Sequence, residues 1–158
     1  FPNGRVPPAK NLSRSESRYA GVLIMGTKTF YTLARPLPGR KLLLLTGDRT
    51  RRSACYNLFF TGAPPEAVLN NLEAEGYETA VLAGGAQINH LFAKANLIDE
   101  ILLTYSPKIF GAGLSIFPEP VDMELELLEY RRIGENTLMA RYRVKKTGLI
   151  PAAQRTQG

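Results

Sequence analysis

Two glycine-bearing segments carry the residue types that bind a phosphorylated cofactor. Residues 21–29 read Gly-Val-Leu-Ile-Met-Gly-Thr-Lys-Thr, and residues 80–87 read Ala-Val-Leu-Ala-Gly-Gly-Ala-Gln, each leading from an apolar strand into a predicted helix start. Glycine lets the backbone approach a diphosphate closely, and the unpaired amides at a helix start supply donors and positive potential. Neither segment has the Gly-x-Gly-x-x-Gly spacing of the commonest dinucleotide-binding turn. Together they predict a dinucleotide site of a different kind.

The size and composition of the chain predict one globular domain. Its 158 residues are 44% hydrophobic and 22% charged, which suffices for a single core. We expect this domain to cover residues 1–146, with residues 147–158 as a loose tail that lacks apolar periodicity. The apolar runs are far shorter than a membrane span and the start lacks a secretory pattern, which predicts a cytoplasmic protein with no membrane partner.

Cysteine and histidine usage argues against disulfide and zinc chemistry. Cys55 is the single cysteine and His90 the single histidine, too few for an internal disulfide or a usual structural zinc site, and we expect no metal. Cys55 is predicted to be a buried strand residue. His90 is predicted to be structural or exposed, because neither a second ligand nor a nucleophile accompanies it.

The net charge of +6 raises the question of a nucleic-acid partner. The basic residues are scattered and not interleaved with aromatic residues, so a stacking surface for bases is absent and no nucleic-acid partner is expected. A small anionic ligand explains the charge equally well. The densest basic cluster, Arg49, Arg51 and Arg52, follows the predicted strand 41–46 and is either a solvated loop or a phosphate contact.

Alternating apolar strands and helices predict an α/β fold. Buried, mostly parallel strands are expected at residues 21–25, 41–46, 79–83 and 100–105, with a weaker one at 56–60. Predicted helices cover residues 64–76 and 86–95, the second with Ile88, Leu91, Phe92 and Ala95 facing the core. Residues 125–133 and 137–145 alternate in polarity around Gly134-Glu135-Asn136, which predicts a C-terminal antiparallel hairpin and hence a mixed, mostly parallel sheet.

One run of residues resembles the dihydrofolate reductase superfamily, and the resemblance covers about residues 3–145. It consists of Ile24-Met25-Gly26, then Thr29-Phe30, then Arg35-Pro36-Leu37-Pro38-Gly39-Arg40, followed by a strand. The resemblance implies a three-layer dihydrofolate reductase-like fold with NADPH as the cofactor. The positions it implies for cofactor binding are Gly26, Thr27, Lys28, Thr29, Thr46, Gly84, Gly85, Ala86 and Gln87. Among these, Thr46 and the basic loop after it match the region that meets the adenosine 2′-phosphate.

The resemblance also implies a substrate pocket. Leu37 and Arg40 would bind the substrate, with the planar guanidinium of Arg40 holding a carboxylate tail. Thr104 stands where dihydrofolate reductases have a threonine that helps to position the pterin. Enzymes of this type hold a carboxylate beneath the ring as a proton source, and Glu16 is the only acidic residue before Gly26. The alternative for Glu16 is an ordinary exposed or helix-start carboxylate.

The later part of the chain resembles a second subfamily. Residues 97–101 and the glycine-bearing segment 107–117 resemble the pyrimidine reductases of riboflavin synthesis. The main interpretation is an NADPH-dependent reductase, monomeric or homodimeric, that converts dihydrofolate to tetrahydrofolate. Two alternatives remain open: a 5-amino-6-(5-phosphoribosylamino)uracil reductase and a non-catalytic nucleotide-binding protein.

Overall fold

A computed structural model describes residues 21–32, 39–48, 50–53 and 55–146. The predicted roles of Glu16, Leu37 and Arg49, and the predicted tail at 147–158, fall outside these residues and stay predictions. No helix in the described part of the chain is both long enough and apolar enough to cross a membrane.

In the part of the chain that the structure describes, four parallel strands form the first sheet. They are β1 (Val22–Gly26), β2 (Lys41–Leu45), β3 (Leu58–Thr61) and β4 (Ala80–Leu82), in the order β3-β2-β1-β4. In the register of the sheet Ile24 pairs with both Leu43 and Leu82, so β1 is flanked on each side. Leucine, valine and isoleucine dominate these strands because both faces of the sheet are buried.

Within the described residues, three helices lie between the strands: α1 (Thr27–Phe30), α2 (Pro65–Ala74) and α3 (Ala86–Lys94). The face of the sheet that carries Ile24 and Leu43 packs against α2 and α3, with Leu72 and Phe92 in the same apolar cluster. The opposite face forms a second cluster: Leu23, Met25, Leu42, Leu44, Leu58 and Val81, with Phe30 and Phe60 packed against it. Successive strand residues alternate between these clusters, as the period of two requires.

The other three strands form an antiparallel sheet. They are β5 (Glu100–Tyr105), β6 (Leu125–Arg132) and β7 (Leu138–Val144), in the order β5-β7-β6. The predicted hairpin is present as β6 and β7, with a register irregularity between Leu127 and Glu129. Ile101 and Val144 join the apolar cluster beneath α3, which attaches this sheet to the parallel one.

The predicted α/β class is confirmed, with corrections in detail. Strand β5 was expected among the parallel strands but pairs antiparallel with β7, and of its six residues Ile101 alone is buried. Cys55 is exposed and precedes β3, so its prediction as a buried strand residue was wrong. Tyr56, expected in the same strand, is also outside it and exposed.

Helix α3 places Ile88 and Phe92 on the core as predicted, but Leu91 does not face the core. Leu91 is 46% exposed, whereas Asn89, His90 and Phe92 are buried. Ile88 sets this orientation because it packs directly over Gly26, where a Cβ atom would lie 3.1 Å from Cγ1 of Ile88. Leu91 therefore points away from the sheet.

The packing of α2 predicts a large effect of one truncation. Leu72 is almost fully buried between α2 and the parallel sheet. The change Leu72→Ala is expected to lower the free energy of unfolding by about 2–5 kcal/mol, measured by denaturant titration. The matched control Leu91→Ala removes an exposed leucine and should cost less than about 1 kcal/mol. Equal losses in the two variants would contradict this assignment of buried faces.

Candidate functional site

The two glycine segments meet at one edge of the parallel sheet. Because β1 and β4 run parallel as neighbours, Gly26 and Gly84 leave the sheet on the same side. The amide of Gly26 donates a hydrogen bond to the carbonyl of Gly84 (2.8 Å), and the amide of Ala83 donates to the carbonyl of Ile24 (2.8 Å). The two predicted turns are therefore adjacent and directly bonded.

Close approach explains why glycine occupies this edge. A Cβ atom on Gly85 would lie 3.0 Å from the hydroxyl oxygen of Thr29, so α1 rests directly on the second turn. Gly84 has φ +87°, a conformation that side chains disfavour, and the peptide bond between Gly84 and Gly85 is cis. The turn is thereby bare of side chains on the surface that faces α1.

The remaining predicted cofactor residues lie on the helix starts beside these glycines. Thr27 and Thr29 are half-buried and Lys28 is exposed in α1, while α3 begins with half-buried Ala86 and exposed Gln87. Glycine at the cap position of α3 offers no side-chain acceptor, and the amides of Ala86 and Gln87 stand in the first turn, where a helix has no internal acceptors. These groups share one edge with Gly26 and Gly84.

A cavity of about 460 Å³ opens at the same edge, over the ends of β2 and β3. Thr46, which follows β2, donates its amide to the carbonyl of Thr61 (2.9 Å), and a Cβ atom on Gly62 would lie 3.1 Å from the carbonyl oxygen of Thr46. The lining residues are Thr46, Asp48, Arg51, Arg52, Phe60, Thr61, Gly62, Ala63 and Pro64. Two arginine residues, Arg51 and Arg52, thus line this cavity.

Arg51 is held in place by partners from two segments. Its Nη1 donates to the hydroxyl of Tyr31 (2.8 Å), its Nε donates to Oδ2 of Asp48 (3.3 Å), and its guanidinium carbon lies 5.9 Å from the Tyr31 ring centre. Hydrogen bonds from the hydroxyl and the amide of Thr50, assisted by Arg51, hold the pKa of Asp48 below its usual value. The loop after β2 is thereby linked to the end of α1.

One of the predicted substrate residues, Arg40, lies away from the glycine turns. Arg40 precedes β2 at the opposite edge of the sheet and lines a cavity of about 450 Å³ with Tyr56, Asn57 and Tyr77. A strand rises about 3.3 Å per residue, so Arg40 and Thr46 lie roughly 20 Å apart along β2. Thr104 lies half-buried in β5 of the antiparallel sheet.

Two polar side chains on α3 are buried, Asn89 and His90, the second of which was predicted to be structural or exposed. Nδ2 of Asn89 donates to the carbonyl of Ile116 (3.0 Å), and among the described residues its buried Oδ1 has no hydrogen-bond partner. His90 is buried, and its Nε2 lies 3.1 Å from Oε2 of Glu119. Both contacts connect α3 to the segment before β6. Within the described ranges no three histidine, cysteine or acidic residues cluster as metal ligands.

Solved structures share this architecture. A riboflavin biosynthesis protein from Shewanella sp. PV-4 superposes with a TM-score of 0.73 at 20% identity, covering 86% of this chain and 82% of that one. The riboflavin biosynthesis reductase of Saccharomyces cerevisiae superposes at 0.66 with 8% identity, covering 89% and 90%. Dihydrofolate reductase from Enterococcus faecalis, complexed with NADP(H) and RAB-propyl, superposes at 0.65 with 18% identity, covering 90% and 98%. The fold is that of the dihydrofolate reductase superfamily.

One family within this superfamily matches the sequence of the chain. The family model described as the RibD C-terminal domain matches residues 38–139, and the chain belongs to that family. Membership confirms the expected superfamily and the expected enzyme class, an oxidoreductase. It agrees with the riboflavin-pathway alternative better than with dihydrofolate reduction, which is not confirmed. Among curated proteins no relative matches the chain.

The contact between Gly85 and Thr29 makes a testable prediction. Because Gly85 has an ordinary negative φ of −64°, steric overlap with Thr29 is the main obstacle to a side chain there. Gly85→Ala should lower the free energy of unfolding by about 1–3 kcal/mol, measured by chemical denaturation. Adding Thr29→Ala should recover part of that loss, since it removes the hydroxyl.

The matched control is Gly47→Ala. Gly47 follows Thr46 at the same edge of the sheet, and a Cβ atom there would meet nothing within 4 Å. This variant should be as stable as the parent to within about 0.5 kcal/mol. A Gly85→Ala variant as stable as Gly47→Ala would show that α1 does not rest on the second turn.

Proposed function

We propose that this protein is an NADPH-dependent reductase of a phosphoribosylaminopyrimidine, with 5-amino-6-(5-phosphoribosylamino)uracil as the substrate. The observation that carries this proposal is the family match over residues 38–139. That match includes the second glycine turn and the segment 107–117, which already resembles the pyrimidine reductases at the level of sequence. The residue roles proposed below follow from the site geometry and the superfamily resemblance.

The surface at the carboxyl ends of the parallel strands has a shape that fits a dinucleotide. The bare turn at Gly84 and Gly85 lies at the end of β4, and the cavity with Arg51 lies over the ends of β2 and β3. Neighbouring strands are about 4.8 Å apart, so these two features are separated by roughly 10–15 Å. We infer that the diphosphate of NADPH lies over Gly26 and Gly84, and that its adenosine extends toward β3.

The chain's own groups supply binding and orientation in this arrangement. Bound NADPH supplies the hydride for the reduction. The backbone of Gly26, Gly84 and Gly85 allows the diphosphate to approach, and the amides of Ala86 and Gln87 donate to it. Thr27, Lys28 and Thr29 contact it from the side of α1. Each of these roles is a proposal that the close contacts between the two turns support.

The cavity beside β2 suits the 2′-phosphate that distinguishes NADPH from NADH. Arg51 and Arg52 both line it, and Thr46 offers a hydroxyl at its rim. Guanidinium groups bind phosphate through paired donors, and Arg51 is already oriented by Tyr31 and Asp48. We therefore assign cofactor preference to this cavity.

Removing both guanidinium groups tests that assignment. Arg51→Ala combined with Arg52→Ala is expected to raise the Kd for NADPH by about tenfold to a hundredfold, because charge-assisted hydrogen bonds to the phosphate are lost. The affinity for NADH, which lacks this phosphate, should change by less than about threefold. Fluorescence titration of both cofactors measures the two effects.

The control for this experiment is Lys94→Ala, which removes a positive charge at the far end of α3. It should leave both affinities unchanged, which separates local contact from the general effect of net charge. Equal weakening of NADPH and NADH binding in the double variant would place the 2′-phosphate elsewhere.

The roles of the substrate-binding residues are proposals that rest on the superfamily resemblance. Arg40 would hold the anionic group of the substrate, with Leu37 beside it, and Glu16 would supply the proton. Thr104 would position the ring from β5. Because Arg40 lies at the opposite edge of the sheet from the glycine turns, the substrate would have to extend along β2 to reach both.

Dihydrofolate reduction is the second candidate function. The run Arg35-Pro36-Leu37-Pro38-Gly39-Arg40 favours it, because this order resembles dihydrofolate reductase. Folate carries a carboxylate tail and the phosphoribosylaminopyrimidine carries a phosphate, so the same arginine would serve either anion.

Turnover with each substrate decides between the two functions. Loss of NADPH absorbance should be fast with the phosphoribosylaminopyrimidine and at least about a hundredfold slower, as kcat/KM, with dihydrofolate. Arg40→Ala should raise KM for the preferred substrate, whereas Glu16→Gln should mainly lower kcat. Faster turnover of dihydrofolate would reverse the assignment. Tight NADPH binding with no turnover of either substrate would favour a non-catalytic role.

A further inference from the structure

Helix α3 carries a buried amide side chain that makes a hydrogen bond at only one of its two ends. Asn89 is 2% exposed, and its Nδ2 donates to the carbonyl oxygen of Ile116 (3.0 Å). Its Oδ1 is also closed to solvent and has no hydrogen-bond partner among the described residues. A buried acceptor without a donor is costly, so binding of a group that supplies the donor relieves that cost.

The orientation of this amide is fixed by its neighbour. The carbonyl of Ile116 can only accept a hydrogen bond, so the NH2 end of Asn89 faces it and the oxygen end is left over. A phosphate, a carboxylate or another carbonyl would not satisfy Oδ1, because each of these groups accepts. An N–H or O–H group is therefore the partner that Oδ1 lacks.

Asn89 lies one helical turn beyond the second glycine turn. Its backbone amide donates to the carbonyl oxygen of Gly85 (3.0 Å), which closes the first turn of α3. The preceding residue, Ile88, packs its side chain over Gly26 of the first glycine turn. At a rise of about 1.5 Å per residue, Asn89 is about 6 Å along the helix from Gly85. The unpartnered acceptor therefore lies beside the two turns at which we place the diphosphate.

The proposed course of the cofactor over the sheet brings its nicotinamide half to this part of α3. The strand order is β3-β2-β1-β4, and the adenosine is assigned to the side of β2 and β3. With the diphosphate at the ends of β1 and β4, the nicotinamide half extends in the opposite direction, past β4. On that side α3 meets the segment 106–116, to which Asn89 is bonded.

The segment beside Asn89 can move at little cost. Residues 106–116 form neither a helix nor a strand, and residues 106–115 are all exposed. Even the large apolar side chains of Ile109, Phe110 and Leu114 are exposed. Local structure with so few buried contacts opens readily. A ligand group can therefore reach Oδ1 by displacing this segment.

We propose that Oδ1 of Asn89 accepts a hydrogen bond from the carboxamide N–H of the bound nicotinamide ring. This carboxamide carries the only N–H donors of the ring, since the ring nitrogen is bonded to the ribose. The contact fixes the rotation of the ring about its bond to the ribose. The inference rests on the proposed function, because it requires NADPH at the glycine turns.

An analogue of the cofactor tests the contact directly. The 3-acetylpyridine analogue of NADPH carries a methyl group in place of the amide nitrogen and keeps the carbonyl oxygen. The full chain is expected to bind NADPH about tenfold more tightly than the analogue, measured by isothermal titration calorimetry. In Asn89→Leu, an apolar side chain of similar volume replaces the amide, and the two Kd values should then agree to within about twofold.

The matched control is His90→Leu. His90 is also a buried polar residue of α3, and its Nε2 lies 3.1 Å from Oε2 of Glu119, which follows the same segment. Each substitution removes one contact between α3 and this part of the chain, and any loosening weakens the binding of NADPH and of the analogue alike. The ratio of the two Kd values should change in Asn89→Leu and stay at the parent value in His90→Leu, which keeps the Asn89 acceptor.

Equal affinity of the parent chain for NADPH and the analogue would overturn the proposal, whether or not Asn89→Leu folds. A buried water molecule would then be the partner of Oδ1. An unchanged ratio in Asn89→Leu would also overturn it and assign the carboxamide to another residue. Neither result touches the proposed function as long as NADPH binds and the pyrimidine is reduced. A chain that binds neither nucleotide would overturn the proposed function and this inference together.

Discussion

Parallel pairing of β1 with both neighbours is the constraint on which the site depends. It sends the ends of β1, β2 and β4 to one edge, so glycines 58 residues apart in sequence, Gly26 and Gly84, share a 2.8 Å hydrogen bond. Helices α1 and α3 then both begin at that edge. Any slip in this pairing would move Thr29 off Gly85.

Local sequence patterns predicted the parallel strands and the position of the glycines at their ends. Apolar runs bounded by glycine mark strands that are buried on both faces, and a parallel sheet follows from strands that alternate with helices. These patterns place Gly26 and Gly84 at the carboxyl ends of parallel strands, whereas the strand order that makes β4 the neighbour of β1 comes from the fold. The hairpin β6-β7 was equally visible, since alternation and a Gly-Glu-Asn turn specify it.

Contacts between side chains that are distant in the sequence could not be predicted from it. Nothing in the spacing of Tyr31, Asp48 and Arg51 indicates that they form one cluster, because the loop path after β2 decides it. The exposure of Leu91 could not be predicted because Leu91 fits the apolar stripe of the helix as well as Ile88 does. The choice between pterin and pyrimidine rests on contacts that similar folds accommodate with different residues.

The position of Asp48 gives the arginine cavity an internal competitor. A carboxylate already engages the Arg51 guanidinium, so a phosphate bound there as proposed would exchange one anion for another instead of meeting a bare cation. The apparent affinity would then be the difference between two ion pairs, which moderates binding. A competing carboxylate of this kind would suit a cofactor that must dissociate after each catalytic cycle.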